Sequence, residues 1–299
     1  MNKFVEYSAE VLEALQNKQP IVALESTVIT HGMPYPHNLE TAKELEQIAR
    51  AQQVIPATVA IMNGKIKIGL SSDELQQLAE DRTVHKASLR DIPFYLEKGV
   101  SAGTTVAATL FCIRNTAIKV FATGGIGGVH RGEDMDISAD LIELSRTPIA
   151  VVCAGAKSIL DLPRTLEFLE TFSIPVYGYQ TNCLPAFYCA TSPYELPARV
   201  DDVETLAKVL NTHWELGINS GALITNPIPV RDAIAPEVIE PVIAAALIKA
   251  NQQNISGKAM TPFLLKEVAT VTTGKSLTAN IALIKNNVEL GSKLALAMH

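Results

Sequence analysis

Ile149-Ala150-Val151-Val152-Cys153-Ala154-Gly155-Ala156-Lys157 sets an unbroken apolar run against three small residues and then a single cation. The run is short and rich in β-branched residues, the pattern of a strand buried on both faces, as in a parallel sheet. A lysine placed at the end of such a strand is partly desolvated. That lowers its pKa and frees the neutral amine, which attacks aldehydes to give Schiff bases. The competing reading is a lysine that runs its stem along the apolar surface and keeps its ammonium in water.

Outward from this run, the same pattern recurs with helical stretches between. Ile21-Val22-Ala23-Leu24 stops at Glu25, and residues 57–62, 118–123, 175–179 and 221–225 read as strands. Asn63-Gly64 marks a hairpin returning over residues 65–70. Helices are expected over residues 41–53, 72–80, 104–113, 139–144, 163–172, 203–216, 236–252 and 280–297. Strands alternating with helices imply crossover connections, hence an α/β fold with a central, largely parallel sheet flanked by helices. No repeat, low-complexity tract or Gly/Ser linker interrupts the chain, so residues 1–299 are read as a single compact domain.

Composition narrows the function classes. A formal net charge of −6 opposes a nucleic-acid-coating surface, while leaving room for a small anionic substrate held by a few local donors. No apolar run reaches transmembrane length and the N-terminus lacks a signal-peptide pattern, so a cytoplasmic protein without membrane contact is expected. Cys112, Cys153, Cys183 and Cys189 form no CxxC pair and read as small core thiols in a reducing compartment.

Four stretches carry chemistry. In Ala23-Leu24-Glu25-Ser26-Thr27-Val28-Ile29-Thr30-His31-Gly32-Met33-Pro34-Tyr35-Pro36-His37, a strand ends in a carboxylate and enters a loop bent by Gly32, Pro34 and Pro36. Glu25, at the carboxyl end of a strand and partly desolvated, suits an acid of raised pKa, or else a structural cap. His31 and His37 read as groups that order this loop. Thr123-Gly124-Gly125-Ile126-Gly127-Gly128-Val129-His130-Arg131-Gly132 is a glycine-rich turn after a strand. Its amides, with Thr123, His130 and Arg131, can crowd around an anion, or the glycines can serve close packing.

Asp134, Asp136 and Asp140, around Ser138, suit a hard divalent cation held through oxygen and water, or helix capping by Asp136 or Ser138. Lys157 is the fourth. Lys86 can meet a phosphate, and Asn280 and Asn226-Pro227 supply polar pocket or capping groups.

Taken together these stretches resemble the pseudouridine-5′-phosphate glycosidase family, whose relatives include the indigoidine-cluster protein A. Further matching pieces are Ile55-Pro56-Ala57-Thr58, Gly103-Thr104-Thr105-Val106-Ala107-Ala108-Thr109 and Asp136-Ile137-Ser138-Ala139-Asp140-Leu141. Pro185-Ala186-Phe187-Tyr188, Asn226-Pro227-Ile228-Pro229, Thr261-Pro262-Phe263-Leu264-Leu265 and Ser276-Leu277-Thr278-Ala279-Asn280 extend the match over nearly the whole chain.

The resemblance implies a lyase that reversibly cleaves pseudouridine 5′-phosphate to uracil and ribose 5-phosphate, assisted by a divalent metal, usually manganese. It implies Glu25 as proton donor, Lys157 as nucleophile and Asp136 as metal-binding carboxylate. Lys86, Val106, Ser138, Ala139 and Asp140 would line the substrate site, with Thr123, His130 and Asn280 as neighbours, in a homotrimer. One departure stands out: the family's usual arginine two residues after Pro-Ala-Phe-Tyr/Trp is Ala190 here, and Pro193 replaces a glycine. It concerns a contact near that loop, not the proposed catalytic groups.

The implied chemistry accounts for the residue types. The scissile bond joins two carbons, so protonating a glycosidic heteroatom cannot release the base. Acid must act at the ring oxygen and an amine must capture C1′, a task beyond the paired carboxylates of ordinary glycosidases. Two other readings use the same residues: a Schiff-base aldolase or lyase acting on another sugar phosphate, and a non-catalytic nucleotide-binding protein.

Overall fold

The computed structural model describes residues 3–132, 135–255 and 257–299. In chain order the strands are β1 (Val5–Tyr7), β2 (Ile21–Leu24), β3 (Ile55–Met62), β4 (Lys65–Ile68), β5 (His85–Ala87), β6 (Ala102–Thr104), β7 (Val120–Ala122), β8 (Val129–His130), β9 (Ala150–Cys153), β10 (Leu160–Asp161), β11 (Val176–Tyr179), β12 (Ala198–Val200) and β13 (Ala222–Thr225). The α-helices are α1 (Ala9–Gln16), α2 (His37–Ala51), α3 (Ser72–Glu80), α4 (Ile92–Lys98), α5 (Val106–Ile113), α6 (Ala139–Leu144), α7 (Leu162–Thr171), α8 (Val203–Glu215), α9 (Pro236–Gln252), α10 (Met260–Val271) and α11 (Lys275–Ala297).

The Val-rich run around Val151 is β9. All four of its residues are buried, and it lies between parallel neighbours β7 and β13. The sheet runs β1-β4-β3-β2-β7-β9-β13-β11-β12, with β6 joining β3 and β5 joining β6. From β2 to β12 every pairing along this path is parallel. The antiparallel pairings of the sheet are the expected β3–β4 hairpin and β3–β6. This is the largely parallel α/β sheet that the alternating pattern predicts.

The order of strands creates a switch point. β3 pairs with one edge of β2, and the chain returns after β6 to lay β7 along the other edge. Crevices at such reversals, outside the carboxyl ends of the strands, are where open α/β sheets bind ligands.

The helices follow from local signals. Ser71 and Glu74 form a reciprocal capping box on α3, and Asp161 caps α7 with a proline tolerated in its first turn. The longest helix, α11, packs across β2, β7 and β9, with α2 and α8 alongside. Gly291 permits this approach, since a Cβ there would lie 3.1 Å from the Ala122 Cβ.

Several expectations change. The helix read over 104–113 begins at Val106, because Thr104 belongs to β6 and the Thr105 hydroxyl caps the first turn. The helix read from residue 280 starts at Lys275. The segment after Glu25 is not an open loop: Val28–Gly32 forms a short π-helix, and His37 is the first residue of α2, 3.4 Å from Glu40. The short elements β1, α1, β5, β6 and α4, and the longer α10, lie outside the stretches read from the sequence. All four cysteines are free, and three are buried, as expected of core thiols.

A side chain at position 291 must push α11 off the sheet. Gly291→Leu is expected to cost about 1–3 kcal/mol, the usual range for overpacking, measured as a lower urea midpoint with an unchanged m-value.

Candidate active site

Two strands at the switch point end one residue before a polar group. Leu24 pairs with Ala122 in parallel register, so Glu25 and Thr123 leave β2 and β7 side by side. The Thr123 hydroxyl donates to Glu25 Oε1, and both residues are buried. Beyond them opens a cavity of about 640 Å³.

Lys157 reaches the same cavity from the far end of β9. It is half-buried and lies in the turn beyond the strand, where its amide donates to the Ile126 carbonyl at 3.0 Å. Lys86, on β5, lines the cavity from another side. Of the other residues read from the sequence, Val106, His130, Asp136, Ser138, Ala139, Asp140 and Asn280 also line it. Thr123 stands behind Glu25, and Arg131 turns away, binding the Leu160 and Ser158 carbonyls and the Glu240 carboxylate. Ala190 lies on a separate cavity beside Thr181 and Asn226, so the departure at that position leaves the main cavity wall intact.

Electrostatics distinguish the groups. Burial raises the Glu25 carboxyl above its ordinary range. Lys157, the Thr123 hydroxyl and Lys86 pull it down and Asp140 adds to the rise, but burial prevails. His130 is pushed down by burial first. Asp136, whose Oδ2 lies 4.0 Å from its Nε2, opposes this, while Lys157 and Lys86 reinforce it. His31 is lowered by burial, then by Lys86 and His85, and its Nδ1 lies 2.7 Å from the Thr30 hydroxyl. Burial pushes the Cys153 thiol up to about 12, so this neighbour of Lys157 is not a thiolate nucleophile near neutral pH.

The glycine-rich turn is built for close approach. A Cβ on Gly127 would meet the Ser138 hydroxyl at 2.2 Å, and one on Gly125 would meet the Phe187 ring at 2.7 Å. Four amides of the turn are already engaged: Ile126 with the Gly155 carbonyl, Gly127 with Asp140, Val129 with the Thr165 hydroxyl and His130 with the Asp136 carbonyl. These internal bonds fix the turn, while Gly124 and Gly125 lie on the cavity wall.

Asp140, in the first turn of α6, acts as a clamp. Its Oδ1 accepts from the Ala107 amide at 2.9 Å and its Oδ2 from the Gly127 amide at 2.8 Å, tying the start of α5 to the glycine turn. The capping role falls to Ser138, which accepts from the Asp140 amide at the start of α6. Asp134 lies outside the described residues. Among the described residues no cluster of three or more His, Cys, Asp and Glu could hold a metal by itself. Asp136 nevertheless offers a partly exposed carboxylate to the cavity. One such ligand fits a hard divalent ion that keeps most of its waters and takes further oxygens from a substrate.

Sequence reasoning missed Thr27 and Asn287. Thr27 lines the cavity, and its buried hydroxyl has no partner among the described residues. Asn287, fully buried on α11, donates to the Thr123 carbonyl at 2.8 Å. An isolated threonine and an asparagine inside a helical pattern give no sequence signal. Asn287 lies seven residues after the expected Asn280, so both fall on one helix face.

Comparison with known proteins follows the same lines. The family model for indigoidine synthase A like proteins matches residues 10–297. Pseudouridine-5′-phosphate glycosidase of Caldanaerobacter subterraneus subsp. tengcongensis is 54% identical over 301 residues, covering 100% of this chain and 98% of that protein. The Escherichia coli K12 protein of the same name is 49% identical, over 98% of this chain and 95% of its own. Among solved structures, prealnumycin C-glycosynthase in complex with ribulose 5-phosphate superimposes with a TM-score of 0.91 at 37% identity, covering 100% and 98% of the two chains. An indigoidine synthase A-like protein from Thermotoga maritima gives 0.90 at 35% identity, covering 98% and 95%.

A carboxyl whose pKa is raised by folding stabilises the native state while protonated. That contribution is complete below the ordinary carboxylate range and is lost as pH rises through the raised value. Glu25→Gln, permanently neutral, escapes the loss. Its Tm advantage over the parent chain is therefore expected to grow between roughly pH 4 and pH 8 by differential scanning calorimetry. A difference that stays flat across that window would show that Glu25 titrates normally.

Proposed function

The chain belongs to the indigoidine synthase A like family, and from that premise we propose that it cleaves pseudouridine 5′-phosphate reversibly to uracil and ribose 5-phosphate. The observation that carries the reading is the meeting of Glu25, held above the ordinary carboxylate range by burial, with the amine of Lys157 in one cavity. Relatives at about half identity named for this activity support it.

The residues divide the work as follows. Glu25, protonated, gives its proton to the ribose ring oxygen, and the ring opens. The neutral amine of Lys157 bonds to C1′. The proton that the amine sheds passes to the Glu25 carboxylate, the electrons of the C1′–C5 bond then take that proton up at C5, uracil leaves, and C1′ becomes an imine on Lys157. Water hydrolyses the imine, returning the lysine and releasing ribose 5-phosphate, so substrate plus one water balances the two products. The Thr123 hydroxyl keeps the Glu25 carboxyl aimed at the cavity.

Lys86 and Val106, the first residue of α5, stand on the cavity wall, where Lys86 would supply charge to a phosphate. Ser138, Ala139, Asp140, His130 and Asn280 complete the wall around sugar and base. A divalent ion, manganese by preference, would be held by Asp136 and would neutralise anionic oxygens of the bound substrate. No helix among the described residues is long and apolar enough to cross a membrane. The protein is proposed to act in the cytoplasm as a homotrimer, with a solution mass of three 32.2 kDa chains.

Incubation of pseudouridine 5′-phosphate with the protein and manganese is expected to release uracil, read by chromatography, and chelator is expected to suppress the release. Lys157→Ala should lower kcat by roughly 10⁴-fold or more, and Glu25→Gln by roughly 10²–10⁴-fold. Borohydride with ribose 5-phosphate should add the reduced sugar mass to Lys157 alone. An adduct without uracil release would redirect the assignment to a Schiff-base lyase acting on another sugar phosphate. Absence of both would leave a binding protein.

A further inference from the structure

We propose that Asn287 is a positioning residue of this site: its side-chain amide, from the middle of α11, fixes the end of β7 so that the Thr123 hydroxyl meets Glu25. The proposal rests on the reading of Glu25 as the acid.

The geometry is closed at both ends of the amide. Asn287 Nδ2 donates to the Thr123 carbonyl at 2.8 Å and to the Gly124 carbonyl at 3.3 Å. Its Oδ1 accepts from Asn226 Nδ2 at 3.2 Å. The Asn226 backbone amide in turn donates to the Cys153 carbonyl at 2.8 Å. One buried side chain therefore links α11 to the carboxyl ends of β7 and β13, and through Asn226 to the end of β9. Those are the strands that deliver Thr123 and Lys157.

Asn287 is fully buried, and its amide lies where water cannot substitute for it. An apolar replacement would leave the Thr123 carbonyl without its donor just past the last residue of β7. An unpaired buried carbonyl shifts to find water or another donor. Thr123 carries both that carbonyl and the hydroxyl on Glu25, so the shift passes directly to the acid. Four residues further along α11, Gly291 sits against Ala122 and fixes the height of the helix along the strand. Seven residues earlier, Asn280 enters the cavity. The spacing of Asn280, Asn287 and Gly291 thus places one helix against substrate, strand end and strand.

The test compares Asn287→Leu, Thr123→Val and their combination. Loss of the hydroxyl bond removes a contact that favours the ionised carboxyl. Each single variant should therefore move the descending limb of kcat/KM to higher pH, with kcat lowered roughly 10- to 100-fold and KM little changed. The combination should move the limb no further than Thr123→Val alone. A merely structural role would lower Tm without moving the limb, and two shifts that add would place Asn287 outside the Thr123–Glu25 linkage. Either result overturns the proposal.

A second readout needs no substrate. In each background the pH at which the Tm advantage of Glu25→Gln develops reports the Glu25 ionisation. It should rise in Asn287→Leu, and it decides the matter even if uracil release is never observed. Should Asn287→Leu not fold, Asn226→Ala, which strips the tether on Oδ1 together with the Asn226 bond to the Asn286 carbonyl but leaves the Asn287 donor in place, should give a smaller shift of the same sign. A folded Asn226→Ala with no shift counts against the proposal.

Discussion

The removal of one carboxyl from water, Glu25 at the end of β2, sets terms that the rest of the site must meet. A buried acid is protonated unless a charge or donor holds it ionised. In this protein Lys157, Lys86 and the Thr123 hydroxyl all favour the ionised form and still do not outweigh burial. The carboxyl and the amine therefore share a cavity in which burial, rather than the neighbouring cation, sets the direction of the carboxyl's shift.

The parallel sheet makes this balance possible. Side-by-side strands end in register, so residues just past Leu24 and Ala122 are brought together although 98 positions separate them in the chain. β9 brings Lys157 to the same end through a turn of small residues, and a Cβ on Gly155, with φ of +84°, would lie 2.3 Å from the Pro185 carbonyl. Such a turn leaves little freedom for the lysine backbone. The clamp at Asp140 does comparable work across the cavity, spending both oxygens on backbone amides of separate elements.

Much of this was legible in the sequence, for a physical reason in each case. Buried strands announce themselves through apolar runs such as Ile149–Cys153, and polar residues that interrupt such runs at their ends, Glu25 and Thr123, are conspicuous. Helix α9 is readable because Pro236 opens it, and α6 because Ser138 caps it. The π-helix over Val28–Gly32 was not readable, since its sequence carries turn residues and no periodicity. The glycine turn is ambiguous from sequence alone: its spacing suits amides facing an anion and backbones packed tightly, and the Phe187 ring against Gly125 shows the packing half of that reading. Asn287 was invisible because an amide inside an apolar helix face looks like a lapse until the opposing carbonyls are seen.

The long helix α11 follows every strand of the sheet in chain order, yet its Asn287 binds Thr123 across 164 positions. This tie between strand ends therefore comes from an element that follows all of them in the chain, and it forms once the sheet has closed its longest loops. Contacts of such separation form late and slowly, because loop-closure entropy must be met before they contribute.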